Sequence, residues 1–263
     1  MIKLIASDLD GTLLWGKEKI IRQESVELIE ALLEQGRIFM AASGRQYANQ
    51  RRLFQESGLS DKIGFVCENG SLIMHKNKIL KQYFFERELG IELMKSILDK
   101  SDCEVLLSGV NTSYIQPKNP AFETHMREFV RNNVTVVEDI CAVEEPFMKI
   151  SAYKKDEILP LAHDWDEQFQ GRMNIALADE IWLDFGPLES GKGKALLDVC
   201  DYFGFTADEL LVLGDNFNDI SMFEVTKNSF VMENGPDEVK PHANHVAKDI
   251  NDVLKDILEG KYD

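Results

Sequence analysis

Cysteine is scarce in this chain: four in 263 residues, at positions 67, 103, 141 and 200, with no C-x-x-C pair. That spacing excludes a disulfide-stapled scaffold and leaves reduced, structural thiols as the expectation. Positive charge is scarce too. Lys and Arg total 29 against 46 Asp and Glu, a formal net charge of -17. No nucleic acid and no anionic membrane surface is therefore expected as a partner, because both require clustered Lys and Arg. An anionic substrate would need local compensation. No run approaches the ~20 apolar residues of a membrane span, and the opening MIKLIASDLD has too short an apolar stretch for a signal peptide. Cytoplasmic residence is the expectation. Repeats, low-complexity tracts and Pro- or Gly-rich linkers are missing as well. With 44% hydrophobic and 29% charged residues, the chain can bury a sizeable core and present a soluble surface. Its length suits one large or two smaller domains.

Apolar runs with strand character alternate with helix-period segments at both ends of the chain. The N-terminal part reads IKLIAS, a helix through RQESVELIEALLEQG with Gly36 as its stop, then RIFMAAS. A helix over 47–57, the strand IGFVCENG and a hairpin of SLIMH with ILKQYFF follow. The C-terminal part resumes with a helix over 192–203, the strand ELLVLGDN, a helix beginning near Asn218, the strand SFVME and a final helix from Ile250. Between them the rhythm breaks. Helices are expected at 89–100, 122–132 and 159–169, and strands at 135–137, 148–153, 172–178 and 181–185. The fold class predicted is α/β, with an α+β domain over 86–184 inserted into a discontinuous parallel core of 1–85 and 185–263.

Asp8 and Asp10 stand where the first apolar run ends, and α/β sheets bind ligands beyond the carboxyl ends of their strands. In an extended segment, side chains two residues apart share a side, about 6 to 7 Å apart, so both carboxylates are expected to face one pocket. Gly11 permits a tight turn after them, and Thr12 can bond locally to hold it. An ordinary Asp cap and turn is the competing explanation. An EF-hand is not: Leu13 and Lys19 occupy the loop positions that require Gly and Glu.

Three further polar clusters follow strand-like runs. Ser43, Gly44 and Arg45 in ASGR offer a hydroxyl and backbone N–H groups suited to phosphate oxygens. Asp215 and Asp219 flank Asn218 in GDNFND, and Lys192 opens a helix with a compact cation able to neutralise a phosphoryl oxygen. Two near misses are set aside. Residues 186–192 fit G-x-x-x-x-G-K, but Gly193 stands where a P-loop needs the Ser or Thr that binds magnesium. His242 and His245 have metal-like spacing without companion ligands.

In their order, DLDGTLL, ASGR, KGKAL and GDNFNDISMFE resemble the haloacid dehalogenase-like hydrolase superfamily, and more narrowly its Cof-type phosphatases. The resemblance covers nearly the whole chain, including CENGSLI and NGPDEVKPHANHV. It implies a Rossmann-like core with a large inserted cap that selects the leaving group. Asp8 is then the nucleophile that becomes an aspartyl phosphate, and Asp10 the acid and base. The implied cofactor is Mg2+, with Asp8, the main-chain carbonyl of Asp10, and Asp215 at the metal and Asp219 ordering its water shell. Ser43, Gly44, Lys192 and Asn218 would hold the phosphoryl group, while Arg45 and Asn69 are candidate substrate contacts from the core. Within the cap, Asn111, Tyr114 and His125 are the polar candidates for selecting the leaving group, with a structural role as the competing explanation for each.

Two departures from the family pattern are Phe217, where many relatives carry glycine, and DINDV in place of the usual Gly-Val after the tail. The expected activity is hydrolysis of small phosphate monoesters, with sugar phosphates favoured, by a monomer or homodimer. The alternatives are a sugar phosphomutase built on the same aspartyl phosphate and a non-catalytic sensor of a phosphorylated ligand.

Overall fold

The computed structural model describes residues 1–16 and 20–262. They form two compact units, residues 1–81 with 191–263 and residues 82–190. The boundaries expected from the sequence fall inside the second unit. Its strand Trp182–Pro187 stays paired with Met173–Asp179 as far as Pro187, so the chain returns to the first unit only at Gly191.

Among the described residues, the first unit is built on an eight-stranded sheet. Its order is His245–Ala247, Asn228–Met232, Leu210–Gly214, Leu4–Ser7, Ile38–Ala42, Gly64–Cys67, Leu72–His75 and Lys78–Gln82. The strands from His245–Ala247 across to Gly64–Cys67 pair in parallel, and Leu72–His75 turns back antiparallel. Leu4–Ser7 and Leu210–Gly214 are buried at every residue. This is why they read as unbroken apolar runs rather than alternating ones.

Leu4, Ala6, Met40, Val66 and Val212 pack with Ala195, Leu196 and Val199 of helix Lys192–Phe203. Helix Gln23–Glu34 buries Val26, Ile29 and Leu32, and Gly36 just beyond it adopts φ 81. The terminal helix Ile250–Leu258 is tied to it through Ser25 Oγ donating to Asn251 Oδ1 at 2.7 Å and through the Arg22–Asp249 pair. The sequence reading missed the short ribbon of Leu14–Trp15 with Ile20–Ile21 and the edge strand His245–Ala247. Three residues or fewer carry no detectable period.

The second unit holds a sheet in the order Val134–Val136, Ser113–Ile115, Cys103–Gly109, Phe147–Lys154, Trp182–Pro187, Met173–Asp179. Helices Arg87–Leu98 and Leu159–Phe169 supply Leu93, Ile97, Trp165 and Phe169 to a core shared with Val105, Leu107, Ile150 and Phe185. Strand Cys103–Gly109 was not anticipated. It is buried at all its residues, so its side chains show no alternation to mark it.

The helix expected at 122–132 is a short α-helix, Pro120–Thr124, capped by Asn119, that passes into a π-helical turn over His125–Val130. His125 stacks there on Tyr153 with ring centroids 5.0 Å apart, and the Tyr114 hydroxyl donates a hydrogen bond to Glu145 Oε2, so both have structural partners. No helix among the described residues is long and apolar enough to cross a membrane.

Candidate active site

Leu4–Ser7 lies between Ile38–Ala42 and Leu210–Gly214, so the loops after all three strands emerge side by side at one sheet end. Asp8 begins the first loop. Its N–H donates to Leu213 O at 2.8 Å and its carbonyl accepts from Ser7 Oγ at 2.7 Å, which fixes the backbone under its carboxylate.

Lys192, the first residue of its helix, reaches the same place. Its Nζ donates to Asp8 Oδ1 at 2.7 Å and to Asp219 Oδ1 at 2.6 Å, and its side chain is 0% exposed. The other oxygen of Asp219 accepts from the N–H groups of Asp215 and Asn216, at 2.9 and 3.0 Å. Thr12 Oγ1 donates to Asp215 Oδ1 at 3.0 Å, across the chain rather than within its own turn. Gly11 sits at φ 84, and a Cβ there would stand 2.2 Å from Asp215 Oδ2. Glycine is required at that position twice over, by conformation and by space.

Carboxylate oxygens of Asp8, Asp215 and Asp219 lie within 4.8 Å of one another and could hold a metal ion. Asp10 is outside that cluster. The strand itself ends at Ser7, and beyond it the two carboxylates take different partners. The Asp10 carboxylate instead receives the Arg45 guanidinium, Nε to Oδ2 and Nη2 to Oδ1, both at 2.7 Å.

Ser43 is 3% exposed, with its hydroxyl oxygen accepting from Arg45 N at 3.3 Å. Asn69, left-handed at φ 53, donates from its backbone N to Ser43 O at 3.2 Å and accepts from Asn218 Nδ2 at 3.2 Å. A Cβ on Gly44 would come 3.0 Å from the Asn69 amide oxygen. Asn69 thus links the Ser43 and Asn218 loops.

Charge in this cluster is unbalanced. Burial raises the Asp8 pKa well above the carboxylate range; Lys192 counters it, and Asp219 and Asp215 add to it. Burial, with Asp219 next, pushes Asp215 up to about 7. Burial disfavours the Lys192 ammonium, but Asp219 and Asp8 outweigh that and raise its pKa, so it stays charged. One buried cation among three carboxylates leaves the group short of positive charge.

A family described as haloacid dehalogenase-like hydrolase matches residues 5–255. The chain belongs to this family. Within the haloacid dehalogenase-like hydrolases it is a phosphatase of the Cof type. It is 26% identical over 271 residues to the protein named 5-amino-6-(5-phospho-D-ribitylamino)uracil phosphatase YbjI of Escherichia coli, covering 98% of this chain and 97% of that one. To YwtE of Bacillus subtilis, which bears the same phosphatase name, it is 26% identical over 296 residues, with 99% and 100% covered. The solved structure of SMU.1108c from Streptococcus mutans superposes with a TM-score of 0.87 at 26% identity, over 99% of each chain.

Some parts of this haloacid dehalogenase-like site were not read from the sequence. Asn49 accepts from Arg45 Nη1 at 3.1 Å, Asn234 Nδ2 donates to Gly11 O at 3.1 Å, and Gly235 leaves room for Asp215 O, which a Cβ would approach to 2.4 Å. Only the NGPDEVK tail hinted at the last two, and nothing local marked the first.

Proposed function

We propose that this phosphatase hydrolyses small phosphate monoesters with Mg2+, through an aspartyl phosphate on Asp8. The observation that carries the reading is the buried Lys192 bridging Asp8 and Asp219 beside Asp215. A carboxylate nucleophile has to approach a phosphate dianion, and these residues are arranged to lower that repulsion. The donors fit magnesium: they are hard carboxylate oxygens, close together and undercompensated by one lysine. Asp8 and Asp215 would hold it, with the main-chain carbonyl of Asp10, and Asp219 would stand behind them because both its oxygens already accept hydrogen bonds. When bound, the ion supplies charge neutralisation at the phosphoryl oxygens.

An Asp8 oxygen attacks phosphorus while the bond to the leaving oxygen breaks, and Asp10 donates the proton that oxygen takes up. Asp10 then accepts a proton from water as water attacks phosphorus, the bond to Asp8 breaks, and inorganic phosphate departs. Proton transfer of this kind contributes roughly 10²- to 10⁴-fold. Ser43 and Lys192 hold the transferring group, while Asn69 and Asn218 brace the loops around it. We assign the choice of leaving group to the inserted unit. The substrate class we favour is a phosphorylated sugar or sugar alcohol; YbjI and YwtE are named for a phosphoribityl compound.

Inorganic phosphate release from a panel of sugar, sugar-alcohol and nucleotide monophosphates, with Mg2+ or EDTA, tests the proposal. Release by the wild type that needs Mg2+ and vanishes in Asp8→Asn is the expected result. Unchanged release by Asp8→Asn would refute the nucleophile. Isomerisation of a sugar phosphate with little phosphate released would shift the assignment to a mutase.

A further inference from the structure

The sequence offers Arg45 as a substrate contact, but in the structure its guanidinium is turned onto Asp10. The two 2.7 Å contacts form a planar fork on both carboxylate oxygens, a geometry that lysine cannot reproduce. The arginine is itself held. Its Nη1 donates to Asn49 Oδ1 at 3.1 Å, its N–H to Ser43 Oγ at 3.3 Å, and its carbonyl accepts from Glu68 N and Gln50 Nε2, both at 3.2 Å. Asn49 and Gln50 are 4% and 0% exposed and belong to helix Tyr47–Gln55. Asp10, by contrast, has a side chain 37% exposed in a loop past the end of its strand. Left alone, such a short exposed carboxylate samples several rotamers, and Asp215 nearby repels it.

We propose that Arg45 is a positioning residue. It transmits the rigidity of helix Tyr47–Gln55 to Asp10 and holds that carboxylate in one orientation, and its contribution to catalysis passes through Asp10 rather than through substrate. This inference rests on the reading of Asp10 as the acid and base.

The test is a double-mutant cycle with Arg45→Met and Asp10→Asn, measured as kcat/KM on a simple alkyl monophosphate and on p-nitrophenyl phosphate. For both, kcat/KM reports events up to departure of the leaving group, and nitrophenolate leaves without a proton. Arg45→Met is expected to lower kcat/KM on the alkyl ester roughly 10²-fold, leave the aryl ester nearly unchanged, and cost nothing more in the Asp10→Asn background. Arg45→Lys, which retains charge but loses the fork, should show the same pattern with a smaller loss, and it serves if the methionine variant does not fold. A rise in KM that persists in Asp10→Asn, or no loss on either ester, overturns the proposal. If Asp10→Asn alone is as active as wild type on the alkyl ester, the acid–base reading fails and the proposal goes with it; phosphate release that depends on Asp8 would still stand.

Discussion

Asp215→Asn should stabilise the metal-free protein, by an amount that grows as pH rises above about 4 and is complete above about 7. Burial, helped by Asp219, lifts the Asp215 pKa from 3.8 to about 7. The folded state therefore keeps a proton that the unfolded state releases. Stability from this group is fully present below pH 3.8 and is lost as pH rises through about 7. At about 1.36 kcal/mol per pH unit, that span caps the effect near 4 kcal/mol, and partial solvent access reduces it to about 2 kcal/mol.

Asparagine keeps the shape and can still accept from Thr12, but it has no charge to desolvate. In EDTA the variant and wild type should melt together at pH 4. At pH 8 the variant should melt about 4 to 8 °C higher by circular dichroism. Saturating Mg2+ should reverse the order at pH 8, because wild type gains about 2.7 kcal/mol at a hundredfold excess over Kd and the variant less. A melting difference in EDTA that is flat with pH, or that favours wild type at pH 8, would refute the argument that unneutralised carboxylates strain this site.

Lys192→Met removes the cation from a position that is 0% exposed and leaves Asp8 and Asp219 buried without it. Urea unfolding in EDTA at pH 8 should show a loss of about 3 to 5 kcal/mol, shrinking as pH falls and Asp8, whose pKa is already raised, takes up a proton. Gly11→Ala places a Cβ 2.2 Å from Asp215 Oδ2 at φ 84, so phosphate release should fall at least about 10²-fold. Gly16→Ala, at φ 67 with nothing within 4 Å of its Cβ, should cost about 1 to 2 kcal/mol of stability and keep its activity; equal activity losses in the two variants would refute the steric account.

Much of the core was legible because its chemistry and its periodicity agree. Buried parallel strands read as apolar runs, and Asp8, Ser43 and Asp215 follow three of them directly. What could not be read was which groups meet. The spacing of Asp8 and Asp10 suggests a pair sharing one pocket, but it carries no sign of the partner each one meets. The strand ends at Ser7, and the two carboxylates acquire different partners. Asp8 receives a lysine 184 residues away, and Asp10 an arginine 35 residues away. Thr12 likewise looks like a local turn residue, yet its hydroxyl bonds Asp215, 203 residues away. The Arg45 and Thr12 contacts follow from the strand order, which puts Leu4–Ser7 between Ile38–Ala42 and Leu210–Gly214, while the lysine comes from the start of the helix packed on that sheet. Local spacing in a motif indicates which residue types are present at the sheet end. The topology then decides whether a given carboxylate meets a buried cation, and joins the metal-type cluster, or meets a guanidinium fork and stays apart from it. Asp8 and Asp10, two residues apart, are held separately because the lysine comes from the start of a helix and the arginine from the loop after Ile38–Ala42. That makes Arg45 as much a part of the division of labour between Asp8 and Asp10 as Lys192.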